Sequence, residues 1–497
     1  MHHRAALQIA LSMILPMVLL WAGPAYAEER AAQPSLQLED CRISAGPGFP
    51  GMKAKCGVLP RPLDPQNPDS GTFDLHVAVV PALSLEPELD PLVPIAGGPG
   101  QSSIEFYAAY WQAFEEIRRN RDIVLVDQRG TGRSAPLDCD AGEGFVESQL
   151  STEEIVAEAK KCFDSLPYDP RYFTTSVAVT DLDAVRQVLG YLEFNLYGIS
   201  YGTRVAQHYL RRYPDAVRTV ILDGVVPPQI ALGPAIALEA QKALEAILAR
   251  CTESEACQAR FPDIGREFRM LKDRLVDEAV VVDIPDPVTG ETETFPFSDN
   301  ELAGALRMLS YHPNTVALMP LLIHEAFGRN YAPIAAQYLM SARSVSEALS
   351  LGMHNAVVCT EDAPFFEGEN VSREALESTY IGPMQLDALE AICSVWPAGV
   401  LDDHFKTPVE TDKPVLLLSG DADPITPPRF AELAAVDMTQ KKLLTGVDQG
   451  HGQLTRTCIP QIMARFVETA LTTGLDEECL QRQFAMPFFL NFTGPAP

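Results

Sequence analysis

Three residues in this chain have the types and order needed to activate an oxygen nucleophile: Ser200, Asp423 and His451. Ser200 sits in Asn195-Leu196-Tyr197-Gly198-Ile199-Ser200-Tyr201-Gly202, at the end of a short apolar run and just before a helical pattern. Gly-x-Ser-x-Gly in that setting reads as a strand turning sharply into a helix, with the serine hydroxyl exposed at the helix head. Gly198 and Gly202 remove side chains where strand and helix crowd each other. The Tyr201 N–H faces the same space and can donate to a developing oxyanion.

A serine hydroxyl is a poor nucleophile at neutral pH. It needs a base to take its proton, and the base needs an acid to orient it. Asp423 lies in Ser419-Gly420-Asp421-Ala422-Asp423-Pro424-Ile425-Thr426-Pro427, after an apolar strand at 415–418. His451 lies in Gly450-His451-Gly452, after a second strand at 441–444. Asp421 and Asp223 are alternative acids, Asp223 being better suited to supporting the neighbouring loops. His404 is the rival base, but it precedes the 415–418 strand. A second oxyanion donor is expected in Gly97-Gly98-Pro99-Gly100, which also follows a strand. Glycines let the backbone approach a substrate carbonyl closely, and Pro99 has no N–H, so the donor is expected at Gly98.

These residues need a frame. Apolar runs at 73–80, 91–96, 123–126, 219–222, 415–418 and 441–444 read as strands. A helical stretch at 181–189 ends at Gly190, and another runs from the serine to Tyr213, stopped by Pro214. Strands alternating with helices imply a mainly parallel sheet covered on both faces, with chemistry at the carboxyl ends of the strands. Between about 232 and 400 the pattern changes to amphipathic helix, broken by a hairpin at 280–297 around Pro287-Val288-Thr289-Gly290. The expected organisation is therefore a signal peptide at 1–27, a first part of an α/β core at 28–231, a helical cap insertion at 232–400 and the rest of the core at 401–497. Residues 28–60 read as a polar, Gly/Pro-rich segment tied down by cysteines.

The 497 residues carry 67 acids against 38 Lys and Arg, a net charge of -29. Such a surface repels nucleic acid and anionic lipid, so neither is expected as a partner. Arg4, the apolar run 9–20 and Ala25-Tyr26-Ala27 have the form of a secretory signal, with a retained anchor as the alternative. The apolar run is short for a membrane span. Ten cysteines follow it. An even number in an exported chain points to disulfides, with sequential pairing 41–56, 139–162, 251–257, 359–393 and 458–479 as the simplest guess. No Cys-x-x-Cys pair exists, and His324-Glu325 lacks the second His of a zinc helix, so neither metal nor cofactor is expected.

In their order, Gly-Gly-Pro-Gly, Asp-Gln-Arg-Gly-Thr-Gly (127–132), Gly-Ile-Ser-Tyr-Gly and Gly-Asp-Ala-Asp-Pro-Ile-Thr-Pro resemble the α/β-hydrolase-fold serine aminopeptidases. These are the proline iminopeptidases and, closer still, the secreted tripeptidyl aminopeptidases. The resemblance covers roughly 60–235 and 400–480, and Cys458 and Cys479 are similar to the family's carboxy-terminal cysteines. One departure is Ala96, where proline iminopeptidases usually carry His. The resemblance implies an α/β-hydrolase fold and release of residues from the free N-terminus of short peptides. Such an enzyme must hold an ammonium group, for which Glu361 and Asp362 are the candidates, while Asp127 and Arg129 are expected to tie loops together. A carboxylesterase using the same three residues is the alternative, and a catalytically silent binding module is a third reading. Location in the periplasm or outside the cell, and the oligomeric state, stay open.

Overall fold

The computed structural model describes residues 36–46, 48–139, 150–285, 290–482 and 485–495. The expected signal at 1–27 and the hairpin tip at Pro287-Val288-Thr289 lie outside the described residues.

Nine strands form one sheet: β1 (Glu39–Ile43), β2 (Met52–Asp64), β3 (Asn67–Val80), β4 (Glu88–Ile95), β5 (Arg121–Val126), β6 (Phe194–Ile199), β7 (Val217–Asp223), β10 (Val415–Gly420) and β11 (Lys441–Gly446). Their spatial order is β1-β2-β3-β5-β4-β6-β7-β10-β11. From β5 to β11 neighbouring strands are parallel, while β1, β2 and β3 add an antiparallel edge. A separate hairpin pairs β8 (Val280–Pro285) with β9 (Thr292–Phe297). The central strands β6, β7 and β10 are almost wholly buried, as expected for parallel strands covered on both faces.

Strands β1 and β2 are a correction, because that stretch reads as irregular from sequence. Pro60 and Pro62 argue against a strand. They are tolerated because β1 pairs only with 52–56, leaving the far edge of β2 open beyond that point.

Helices of seven residues or more are α1 (Ser103–Tyr110), α2 (Thr152–Ser165), α3 (Thr175–Leu189), α4 (Tyr201–Arg212), α5 (Pro234–Glu253), α6 (Ile264–Asp277), α7 (Asp299–Leu309), α8 (Met319–Phe327), α9 (Ala332–Ala348), α10 (Leu351–Glu361), α11 (Met384–Cys393), α12 (Pro428–Ala434) and α13 (Ile459–Thr469). Alternation along β3 sorts the core. Leu75, Val77 and Val79 join the apolar cluster that includes Val205 and Tyr209 of α4, and Ala78 and Val80 join the one that includes Ile462 and Phe466 of α13. Helices α5 to α9 build a third cluster together with Val282, Ile284, Phe295 and Phe297 of the hairpin and Phe488. Helix α10 behaves differently: Met353, Ala356 and Val357 pack into the sheet cluster beside Val124, Leu196 and Val205.

All ten cysteines are paired, as 41–56, 139–162, 251–257, 359–393 and 458–479. Cys359–Cys393 joins the end of α10 to α11. Among the described residues no helix is long and apolar enough to cross a membrane.

Candidate active site

Ser200 stands between the end of β6 and the start of α4, with φ 53° and ψ -126°. A non-glycine residue held there stores of order 1–3 kcal/mol of strain. Its neighbours impose the geometry. The Ser200 N–H donates to the Asp223 carbonyl at 2.9 Å, and the Ser200 carbonyl accepts from the Thr203 N–H at 2.9 Å and the Thr203 hydroxyl at 2.6 Å. Crowding at the turn is real: a Cβ at Gly198 would strike the Gly202 carbonyl, and one at Gly202 would strike the carbonyls of Ile95 and Ala96. As the first residue of α4, Tyr201 has an N–H with no acceptor inside the helix.

Asp423 and His451 meet at the far edge of the sheet. Asp423 Oδ2 lies 2.8 Å from His451 Nδ1. The Asp423 carboxylate also accepts the N–H groups of Ile425 and Thr426, each at 2.9 Å, and the Thr426 hydroxyl at 2.8 Å. Burial pushes the Asp423 carboxyl up, but the His451 charge and these hydrogen bonds outweigh it and hold the group below the ordinary carboxylate range. His451 is shifted the other way. Burial pulls it down, yet the charge and hydrogen bond of Asp423, with Asp223 further off, leave it above the usual histidine value. The His451 N–H donates to the Tyr311 carbonyl at 2.8 Å, and the Tyr311 ring stands edge-on to the imidazole with centroids 5.3 Å apart.

The corner after β7 brings the two loops together. Asp223 holds the Ser200 N–H, and the next residue, Gly224, has φ 63° and leaves room where a Cβ would lie 3.0 Å from His451 Cε1. On the other side, a Cβ at Gly97 would lie 3.1 Å from Ser200 Cβ. Gly98 is exposed, with φ 104°. The arrangement thus gathers a strained serine, a carboxylate-oriented imidazole and a glycine loop in one place, the parts that nucleophilic acyl transfer requires.

The remaining candidates separate by partner. The carboxylate at His451 Nδ1 belongs to Asp423, not to Asp421 or Asp223. Asp223 accepts from the Gln453 N–H at 2.7 Å, the Leu454 N–H at 2.9 Å and the Tyr197 hydroxyl at 2.9 Å, so it ties the loop after His451 to the sheet. Burial pushes its carboxyl up to about 6. Asp127 caps α1 through the Ser102 hydroxyl at 2.6 Å and the Ile104 N–H at 3.1 Å. Arg129 pairs with Asp181 at 2.7 Å and donates to the carbonyls of Leu63 and Tyr172.

Glu361 and Asp362 correct the expectation of carboxylates facing a substrate ammonium. Both are buried, and their charges are already answered. Asp362 takes both terminal nitrogens of Arg204, at 2.9 and 2.8 Å, and lies 3.3 Å from Lys406. Glu361 lies 3.6 Å from Arg204 and accepts the Thr175 N–H at 2.7 Å and the Thr175 hydroxyl at 3.0 Å. Thr175 Oγ1 is in turn 2.7 Å from the Tyr201 hydroxyl. Burial pushes Glu361 up to about 7, with Arg204 pulling against it.

Sequence reading missed Thr426, Tyr311 and Arg204. Thr426 had a signal, three residues after an aspartate in a turn-forming stretch. Arg204 had a weaker one, as a charge four residues after the serine on a helix with an apolar flank. Tyr311 lies in no motif at all.

The family described as alpha/beta hydrolase fold matches residues 90–249, and the one described as TAP-like protein matches residues 378–479. Serine protease Hip1 of Mycobacterium tuberculosis (strain ATCC 25618 / H37Rv) is 26% identical over 495 residues, covering 91% of this chain and 92% of that protein. Tripeptidyl aminopeptidase of Streptomyces lividans is 30% identical over 226 residues, or 41% of each chain. Carboxylesterase B of Mycobacterium tuberculosis (strain CDC 1551 / Oshkosh) is 32% identical over 225 residues, covering 41% of this chain and 43% of that one.

Proposed function

We propose that this serine hydrolase of the α/β-hydrolase fold is an exported peptidase that releases residues from the free N-terminus of short peptides. Ser200 Oγ attacks the scissile carbonyl carbon while His451 takes the hydroxyl proton. Asp423 keeps the imidazole in the right tautomer and stabilises its protonated form. The N–H groups of Tyr201 and Gly98 receive the oxyanion. As the C–N bond breaks, His451 passes its proton to the leaving amine. Water, deprotonated by the same imidazole, then hydrolyses the acyl ester and returns Ser200 to its starting form.

The observation that carries this reading is the Asp423–His451 contact at 2.8 Å, with the corner after β7 holding the Ser200 N–H through Asp223 and approaching His451 through Gly224. Support for a peptide substrate comes from the names of two relatives, a serine protease and a tripeptidyl aminopeptidase. Five disulfides are compatible with export, as is the lack of a membrane-spanning helix among the described residues. We place the nucleophile and base in an α/β core divided by the 232–400 insertion.

A carboxylesterase is the second reading. It is favoured by the carboxylesterase relative and by the charge-answered state of Glu361 and Asp362, which leaves the ammonium without its expected partners. Peptide-coumarin substrates of one to three residues, each with a free and an acetylated N-terminus, decide between them alongside a short acyl ester. Ser200→Ala is the blank. Turnover of free-amine peptides alone supports the aminopeptidase, and the best length gives the subtype. Indifference to acetylation, or cleavage of the ester alone, favours the esterase.

A further inference from the structure

Arg307, near the carboxyl end of α7, is a cation without a counter-charge beside the proposed active site. Its Nε is buried with no hydrogen-bond partner. Its Nη2 reaches only the Tyr311 hydroxyl, at 3.5 Å, which is the outer limit of a hydrogen bond. Among the described residues its guanidinium makes no ion pair within 4.0 Å. Arg307 is half-buried; the buried arginines among the described residues are answered, Arg121 by Asp90, Arg129 by Asp181 and Arg204 by Asp362. With 67 acids in the chain, the missing partner is not a matter of supply.

The location gives the gap its meaning. The hydroxyl that Arg307 touches belongs to the ring standing 5.3 Å from the His451 imidazole, and the backbone of that same tyrosine anchors the His451 N–H. Arg307 also acts on His354, whose ring is within hydrogen-bonding reach of the Pro99 carbonyl in the Gly97–Gly100 loop. Burial is the largest single influence on each histidine, outweighed at His451 by Asp423, and the Arg307 charge is a smaller influence on both. The guanidinium therefore stands among the groups flanking the nucleophile from two sides. Arg456, on the loop after His451, also has a buried Nε without a hydrogen-bond partner, but the Asp223 carboxylate acts on its charge, which sets Arg307 apart. Arg307 has its Nε shielded from water and no anion beside it, so a ligand carboxylate arriving there would meet an unanswered positive charge. The planar fork of guanidinium donors fits a carboxylate.

We propose that Arg307 binds a carboxylate carried by the substrate close to the scissile bond. The inference rests on the reading of Ser200 and His451 as the catalytic pair. Two parts of a peptide can supply the group: an acidic side chain on the acyl fragment, or the free C-terminus of a short leaving fragment.

The test compares matched pairs that differ only in that charge. Ala-Ala-Asp-aminomethylcoumarin is set against Ala-Ala-Asn-aminomethylcoumarin, and penta-alanine with a free C-terminus against its amide. Wild type, Arg307→Met and Arg307→Lys are assayed by kcat/KM. In the wild type the charged member of one pair is expected to be favoured about tenfold or more. That pair names the source of the carboxylate. The preference is expected to vanish in Arg307→Met and return in part in Arg307→Lys. Equal rates within both wild-type pairs overturn the proposal, and so does a preference that survives Arg307→Met. Fluorophosphonate labelling of Ser200 reports whether each variant keeps a working site; if Arg307→Met does not label, the wild-type pairs and Arg307→Lys decide. If wild type cleaves none of these peptides, it is the peptidase reading that fails. Calorimetric titration of the same pairs into Ser200→Ala and Ser200→Ala/Arg307→Met then decides the inference: tighter binding of a charged member that is lost with Arg307 supports it, and equal binding overturns it.

Discussion

Arg204 and Asp362 meet through two parallel hydrogen bonds, at 2.9 and 2.8 Å, joining the helix that starts at Ser200 to the residue that follows α10. Both side chains are almost fully buried, at 1% and 2% exposure. Glu361, Thr175 and the Tyr201 side chain extend the network to the residue proposed as an oxyanion donor.

Breaking this pair leaves a charge buried without a partner. Arg204→Met is expected to cost about 3–5 kcal/mol of stability, and replacing both residues by apolar side chains of similar size to recover most of the loss. Thermal or denaturant unfolding of the single and double variants measures it. A single variant as stable as wild type would show that solvent reaches the pair.

Ser200→Ala is expected to abolish both hydrolysis and fluorophosphonate labelling. Asp423→Asn removes the charge that orients His451 while keeping its shape. A fall of roughly 10⁴ in kcat is expected, with the unfolding midpoint little changed. Retained activity in Asp423→Asn would transfer the role to Asp223 or Asp421.

The pH profile follows from the direction of the His451 shift. A general base works only when neutral. Burial lowers the His451 pKa, but Asp423 more than offsets it and the net shift is upward. Activity should therefore be lost as pH falls through a midpoint above the ordinary histidine value, in the acid limb of kcat/KM. In Asp423→Asn the residual activity should show that limb displaced to lower pH. A limb that stays in place would assign the titration to another group.

Gly98 has φ 104°, and a Cβ there would lie 2.8 Å from the Gly100 nitrogen. Gly98→Ala must reshape the loop that carries a proposed oxyanion donor. A drop in kcat of about 10²–10³ is expected, with KM changed far less. Full activity in steady-state assays of Gly98→Ala would remove this loop from the oxyanion site.

Local patterns in the sequence were enough for the strand–turn–helix around Ser200, the parallel core and the order Ser, Asp, His. Each depends on residues within a few positions of one another: glycines at a crowded turn, apolar runs for buried strands, Gly190 to end a helix. Strands β1 and β2 escaped because Pro60 and Pro62 in β2 speak against a strand, and the open edge that tolerates them is fixed by the length of β1. Glu361 and Asp362 read as carboxylates facing a substrate ammonium because nothing nearby in sequence marks their partner. That partner, Arg204, lies far away on the chain, as does Tyr311 from His451. Contacts of this kind are set by the packing of α10 against the sheet and of α7 within the insertion.

The distance along the chain between Arg204 and Asp362 also orders the protein's birth. A ribosome making the chain from its N-terminus releases Arg204 158 residues before Asp362, and Thr175 186 residues before Glu361. The nucleophile turn can form early from its own short-range contacts, but its helix keeps a bare guanidinium until α10 arrives. Long-range contacts of this kind delay folding. A nascent chain halted before residue 350 is thus expected to be cut by added protease within α4, and a chain released beyond residue 400 to resist. The serine is made well before the support for its helix, which is completed only when Asp362 follows.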